Sequence, residues 1–473
     1  MTSDILSILI PVFNEQDAIS ELLARVIAAP LPEGLGREII VVDDGSTDRS
    51  PELTEAFIAG HPHVSITLIR QKRNMGKGAA IRTAIQAANG RYSIIQDADL
   101  EYDPKEYPGL LKPLLEGRAD VVFGSRFLVS GERRVLYYWH AIANKVLTTL
   151  CNMAADLNLT DMETCYKAFR TSLAKSIPIQ SNRFGIEPEL TVKFARRKAR
   201  VYEVPISYYG RTYEEGKKIG AKDAFEAVWV ILRSRFTKKL HTDTGPAVLD
   251  AMSAAPKFNR WMAETILPHV GDKVLEIGAG IGNMTRQICP RRSVYIATDI
   301  DQEYLDELVN NFQHRPAVSV HKLDAENAED FRRFHEKIET VICLNVLEHI
   351  QDDTGTLRRI RTVLQPGGRL ILLVPNDPGA YGTLDEALGH YRRYTDDQLR
   401  AALLHTGYEV EDVLKFNRVS LPGWKVTGQV LKSRVLTVSG MKLFDRFVWL
   451  WRRIDAKLPW GPASIIAIAR RAD

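Results

Sequence analysis

Asp97-Ala98-Asp99 sets two carboxylates at alternate positions where the apolar run YSII gives way to polar residues, and Glu101 follows two residues later. At an extended strand end such a pair reaches one cation, and hard oxygen ligands with room left for phosphate suit Mg²⁺ or Mn²⁺. The ion would neutralise a diphosphate and the charge that develops as it leaves. Two acids at a strand end are more often a solvated turn or a helix cap, so the surrounding motifs decide. A second constellation, VLEIGAGIGNMT over 274–285, reads as a strand, a glycine turn and a helix start. Its glycines, Gly278, Gly280 and Gly282, follow the register G-x-G-x-G, with Asn283 where a dinucleotide fingerprint needs its last glycine. That departure opposes a nicotinamide oxidoreductase. Glu276 precedes the turn, and Asp299 and Asp324 end the two apolar runs that follow.

These carboxylates need strands to position them. From residue 5 the chain alternates apolar runs (ILSILIPVF, EIIVVDDG, VSITLIR, YSIIQDAD) with helical stretches, and the same grammar restarts after residue 270 with KVLEIGAG, SVYIATDID, VSVHKLDA, ETVICLNVL and GRLILLVP. Near-continuous apolar strands joined by amphipathic helices predict parallel sheets covered on both faces. The fold class is therefore α/β, with two doubly wound Rossmann-like domains. In open sheets of this kind ligands bind beyond the carboxyl ends of the strands, where these acids lie. At ~150 residues per domain, 473 residues also exceed one core. The boundaries predicted are 1–240, a linker at 241–250, a second domain at 251–414 and an extension at 415–473.

SILIPVFNEQDAI, EIIVVDDGSTDRS, RNMGKGAAIRTAI, SIIQDADLEYDP and VVFGSRF follow in the order and spacing of the family 2 inverting glycosyltransferases, a resemblance that covers residues 5–240. DMETCYKAFR, FGIEPEL and EVPISYYGRTYEEGKKI look most like the dolichol- or polyprenyl-phosphate sugar transferases. The resemblance implies a GT-A type domain that takes a nucleotide diphosphate sugar. Pro11, Asn14, Glu15, Asp43 and Asp44 would hold base and ribose, and Asp97, Asp99 and Glu101 the metal. Arg126 would pair with the phosphates, and Arg211 and Lys218 match a basic loop that closes over donor and acceptor. Gly76-Lys77-Gly78 is no Walker loop, yet its lysine suits phosphate contact. A polyprenyl phosphate is already anionic, whereas a sugar hydroxyl needs a base. Asp161 and Glu163 fall where hydroxyl-acceptor relatives keep an acidic pair, while Lys167 favours phosphate. Either acceptor implies inversion at the anomeric carbon.

The glycine turn with Glu276 looks like motif I of class I S-adenosylmethionine-dependent methyltransferases, a resemblance that covers residues 246–473. It implies S-adenosyl-L-methionine held by Glu276, Gly278 and Gly280, with Asp299 on the ribose, Asp324 near the adenine amine and Asn345 of CLNVLEHI at the fourth strand end. His349 and His390 are candidate bases for a methyl acceptor, against a structural reading at least as common. GHYRRYT resembles an acceptor segment whose arginines, Arg392 among them, hold an anionic substrate. The sequence thus predicts a bifunctional enzyme, with a scaffold carrying one inactive domain as the alternative.

Composition agrees with a folded, reduced protein. Hydrophobic residues at 45% and charged at 26% exclude disordered and collagen-like chains, and four cysteines with no CxxC pair exclude a zinc knuckle. Charge is uneven: net +4 over 1–240, −9 over 241–414 and +9 over 415–473, where four tryptophans accompany the excess. Such a tail predicts contact with an anionic membrane or with the acidic body. No nucleic-acid motif accompanies it. Residues 135–155 read as an amphipathic or an ordinary buried helix, and the opening MTSD is not a signal-peptide n-region. The expected location is cytoplasmic, peripheral on the inner face of the membrane.

Overall fold

The computed structural model describes residues 4–128, 138–209, 221–237, 240, 248, 251–434 and 438–472. Arg211, Lys218 and most of the expected linker lie outside the described residues. Two compact units emerge, Met1–Thr242 and Asp243–Asp473.

The first unit is built on seven strands, β1 (Asp4–Val12), β2 (Leu35–Asp43), β3 (Ile66–Arg70), β4 (Tyr92–Ile95), β5 (Val121–Ser125), β6 (Lys167–Arg170) and β7 (Val201–Pro205), in the order β3-β2-β1-β4-β6-β5-β7. Its helices include α1 (Ile19–Ala28), α2 (Ser50–Gly60), α3 (Lys77–Ala87), α4 (Tyr107–Leu115), α5 (Tyr138–Ala155), α6 (Thr171–Ser176), α7 (Ile186–Arg196) and α8 (Ala221–Phe236). Leu6, Ile8, Leu9 and Ile10 are fully buried, because β1 lies between two strands and under helices. Each such side chain stabilises the fold by roughly 1.5–3 kcal/mol. Strand order reverses between β1 and β4, so the loops after these strands flank a crevice.

The second unit has strands β8 (Lys273–Ile277), β9 (Val294–Asp299), β10 (Val318–Lys322), β11 (Ile338–Leu344), β12 (Leu364–Pro375), β13 (Tyr408–Phe416) and β14 (Ser464–Arg471) in the order β10-β9-β8-β11-β12-β14-β13. Here the order reverses between β8 and β11.

Neither sheet is wholly parallel, contrary to the expectation from sequence. β6 runs antiparallel to β4 and β5, and β14 runs antiparallel to β12 and β13. KAFR hides its strand character behind buried Lys167 and Arg170, whose charges are met by Glu187 and Asp120. The boundary at 414 falls inside β13, and β14, with Ile465 to Ala469 nearly or fully buried, is an interior strand. Two tail tryptophans also face inward: Trp424 Nε1 donates to Asp385 and Trp451 Nε1 to the Phe444 carbonyl, whereas Trp449 and Trp460 are exposed.

Candidate active sites

In the first unit a cleft of about 370 Å³ is lined by Pro11, Glu15, Asp44, Lys77, Asp97 and Asp99, with Arg183 and Phe184 from the loop before α7. Gly76 begins α3 at φ 99°, and a Cβ there would stand 2.4 Å from the Asn182 carbonyl oxygen, so only glycine lets this loop close on the helix start. Asp44 is buried and accepts the Met75 and Gly76 amides at 2.8 and 2.7 Å, which fixes the approach of Lys77. Lys77 Nζ lies 2.7 Å from Asp97 and 3.3 Å from Glu187. Burial opposes its charge, but the two carboxylates outweigh burial and hold its pKa well above the ordinary lysine value.

Asn14 and Asp43, expected on the nucleotide, bond loop backbone in this structure. Asn14 Oδ1 accepts the Thr47 amide at 2.9 Å and Asp43 accepts the Ser46 amide at 3.2 Å, so both shape the loop after β2. Glu101 is nearly buried, and its Oε2 accepts the Tyr208 hydroxyl at 2.7 Å; binding a metal would require that bond to yield. Arg126, expected on phosphate, clasps Asp161 through Nε and a terminal nitrogen, both at 2.7 Å. Burial opposes the Asp161 charge, but Arg126 outweighs it and holds the carboxyl below its ordinary range. Glu163 differs. Burial first, then the nearby Glu187 charge, pushes its pKa to about 7, and its buried Oε1 has no hydrogen-bond partner among the described residues.

In the second unit Gly278 takes φ 72°, and a Cβ there would meet Val346 Cγ2 at 2.3 Å. The glycine turn therefore closes against the segment after β11, where Asn345 stands at φ 53°. Asp299 Oδ2 accepts the Gly280 amide at 2.8 Å, which ties the turn to the end of β9. Asp324 accepts the Glu326 amide at 2.9 Å and is half-buried. Glu276, expected on the cofactor, also serves the fold: its Oε2 accepts the hydroxyls of Thr285 and Tyr295, so it fastens the helix start to β9. Arg392 is held by Asp353 at 2.7 Å and by the Gln351 carbonyl at 2.8 Å, which leaves its neighbour Arg393 as the buried arginine beside His390. His390 Nδ1 and Arg393 Nε both meet Asp385 Oδ1, at 2.9 and 2.8 Å.

Comparison with known proteins gives these two geometries a family. The model of glycosyl transferase family 2 matches residues 7–177, and that of a methyltransferase domain matches residues 275–370. One match falls in each unit, a family 2 glycosyltransferase domain in the first and a methyltransferase domain in the second. Both are domains of transferases. The chain's glycosyltransferase domain is 34% identical over 216 residues to undecaprenyl-phosphate 4-deoxy-4-formamido-L-arabinose transferase of Edwardsiella ictaluri, covering 46% of this chain and 63% of that protein. It is 28% identical over 229 residues to dolichol-phosphate mannosyltransferase of Pyrococcus furiosus, covering 48% and 62%. Dodecaprenyl-phosphate galacturonate synthase of Rhizobium johnstonii is 26% identical over 232 residues, covering 49% and 66%. The chain thus spans less than two thirds of each relative. Among solved structures, glucosyl-3-phosphoglycerate synthase from Mycobacterium tuberculosis, in complex with Mn²⁺, uridine-diphosphate and phosphoglyceric acid, matches with TM-score 0.39 and 20% identity over 51% of this chain and 81% of its own. An S-adenosylmethionine dependent methyltransferase from Mesorhizobium loti matches with TM-score 0.32 and 14% identity over 45% and 98%.

Sequence reasoning missed several residues of both domains. In the glycosyltransferase these are Glu187, which bridges Lys77 and Lys167, and Arg183 and Phe184 on the cleft wall. FGIEPEL held the only signal, two acids, Glu187 and Glu189, in an otherwise apolar helix start. In the methyltransferase they are Glu348, Asp385, Arg393 and Trp424, which come together across 77 positions of sequence. LEHI and GHYRRY flagged that cluster only through their histidines.

Proposed function

We propose that the chain moves a sugar from a nucleotide diphosphate sugar to a polyprenyl phosphate, with inversion, and separately transfers a methyl group from S-adenosyl-L-methionine to a related glycan or glycolipid. The observation that carries the first activity is the acceptor class in the names of its relatives: undecaprenyl, dolichol and dodecaprenyl phosphates. The site agrees in chemistry. Asp161, one of two residues that would serve a hydroxyl acceptor, is bound to Arg126, and a phosphate needs no base. Asp97 and Asp99 line one cleft and offer hard oxygens, so the donor set fits Mg²⁺ or Mn²⁺, and Glu101 would join it only by releasing the Tyr208 hydroxyl. Such an ion supplies charge neutralisation for the departing diphosphate. Lys77 meanwhile keeps a cation on Asp97, and Pro11, Glu15 and Asp44 wall the donor side. The decisive experiment is product analysis by mass spectrometry with a panel of nucleotide sugars and polyprenyl phosphate, with and without S-adenosylmethionine. Absence of any lipid-linked sugar would overturn the acceptor.

Glu163 favours a second reading, a glycan hydroxyl acceptor, because a carboxyl with pKa about 7 suits a general base. Under the phosphate reading Glu163→Gln retains transfer within a few fold, and the rate shows no step near pH 7 from this group. Under the hydroxyl reading the wild-type rate rises through pH 7 as Glu163 deprotonates, and the variant loses ~10²–10⁴-fold. A pH–rate profile of both proteins separates them.

We also place the glycosyltransferase domain on a lipid surface. Among the described residues no helix is long and apolar enough to cross a membrane. On α5 the exposed Trp139, Ile142, Val146, Leu150 and Met153 recur at three- and four-residue steps while Cys151 and Thr148 face inward; on α8 Phe225, Trp229, Leu232 and Phe236 do the same. The two helices pack on one another. Two apolar stripes on adjoining helices suit insertion to headgroup depth, and Lys145, Arg233 and Arg235 suit an anionic leaflet. This moves the main membrane contact from residues 415–473, whose β14 is interior, to α5 and α8. Trp139→Ser with Trp229→Ser and Phe236→Ser should lower binding to anionic vesicles by roughly tenfold or more. Unchanged sedimentation of the folded variant would remove the assignment.

A further inference from the structure

We propose that Glu348, His349 and His390 form a binding site for one divalent transition metal of the zinc class, beside the glycine turn of the methyltransferase domain. One ligand atom from each residue lies within 4.8 Å of the others, and His390 Nε2 is 4.0 Å from Glu348 Oε1. A tetrahedral ion with bonds of about 2.0–2.2 Å needs ligand separations of roughly 3.4 Å, so small side-chain rotations close the set. Two imidazoles and one carboxylate are the donors of open zinc sites, which leave a fourth position for a water or substrate oxygen.

Two features support the site beyond proximity. Glu348 is fully buried, and neither carboxylate oxygen has a hydrogen-bond partner among the described residues. Evolved interiors rarely leave both oxygens of an acid unmet, and a cation would satisfy them. His390 is oriented from behind, because its Nδ1 meets Asp385 and its Nε2 is left on the Glu348 side. That is the carboxylate–histidine–metal arrangement that fixes tautomer and ring direction. Asp385 is itself anchored by Arg393, Trp424 and the Gly382 amide. The nearby charges are Arg393, paired with Asp385, and Asp353, paired with Arg392 and bonded by Tyr394.

Glu348 stands two residues beyond Val346, which packs against Gly278. The open position would then offer an oxygen for methylation near that turn. That use rests on the methyltransferase reading, but the metal site does not, so the test reads metal alone. Chelator-stripped full-length protein is titrated with Co²⁺ and followed by visible absorption. The expected result is one equivalent with an intense tetrahedral band, displaced by Zn²⁺, retained in Asp97→Asn/Asp99→Asn, and lost in both Glu348→Gln and His390→Ala. Asp385→Asn should weaken binding by ~10–100-fold. Circular dichroism confirms that each variant is folded, and the isosteric Glu348→Gln decides if His390→Ala is not. Absence of the band in wild type, or its persistence in Glu348→Gln through another pair such as His61 and His63, overturns the site. Normal S-adenosylmethionine binding alongside such a failure would leave the methyltransferase reading intact.

Discussion

Asp99→Asn should lower sugar transfer by ~10²–10³-fold, the scale of losing one preorganised charge contact to a leaving group. Asp99 lies on the cleft with Asp97, and α3 delivers Lys77 to the other side of Asp97 at 2.7 Å. Against Lys77 and Arg183 the cleft lining therefore sets an excess of acid, the carboxylates of Glu15, Asp44, Asp97 and Asp99. A diphosphate brings further negative charge, which those groups repel unless a divalent ion joins them. Asparagine keeps the shape of Asp99 but removes its charge and weakens it as an ion ligand. Methyl-donor binding, which belongs to the other unit, should stay unchanged in the same variant. The measurement is initial rate of lipid-linked sugar formation against Mn²⁺ concentration. Undiminished transfer, or full wild-type activity in excess EDTA, would show that the acids serve the loop and not an ion.

The parts of this protein legible in its sequence share a physical reason. Central strands of a covered sheet are apolar on both faces, so ILSILIPVF, EIIVVDDG and VLEIGAG announce themselves, and ligands collect at their carboxyl ends. Hence Asp97, Asp99, Asp44 and Asp299 could be placed before any coordinates. β6 escaped because its two charges are balanced from elsewhere in the fold, by Glu187 and Asp120. β14 escaped because SIIAIARR lies in a basic, aromatic stretch that reads as an extension, while its pairing with β12 spans some ninety residues. Residue roles were harder than positions. That Arg126 clasps Asp161 and that Glu276 faces Thr285 and Tyr295 depends on contacts no spacing rule encodes. The methyltransferase cluster shows the same limit: its histidines are visible as letters, but the isolation of Glu348 exists only once β11 and the GHYRRY segment meet.

Glu276→Gln should make the methyltransferase unit less sensitive to alkali, by about 3 kcal/mol between pH 5 and pH 8. Glu276 is 4% exposed between the glycine turn and β9, and Thr285 and Tyr295 are its hydrogen-bond donors. Burial raises its pKa to about 7; the two donors oppose that rise without cancelling it, and the Asp299 charge adds to it. In the unfolded chain the group titrates near its ordinary value of about 4.3. The folded state thus holds the proton more tightly. Stability from this group is fully present below the unfolded pKa and is lost as pH rises through the folded value of about 7. Each pH unit in that window corresponds to about 1.4 kcal/mol, which gives the total above. Glutamine imitates the protonated acid: its carbonyl oxygen still accepts from Thr285 and Tyr295, and it carries no charge to bury. The variant should therefore match wild type near pH 5 and surpass it near pH 8, read as the denaturant midpoint of the unit's tryptophan fluorescence. Equal pH dependence in the two proteins would mean that Glu276 is ionised in the folded state throughout, with its charge met by the turn it fastens.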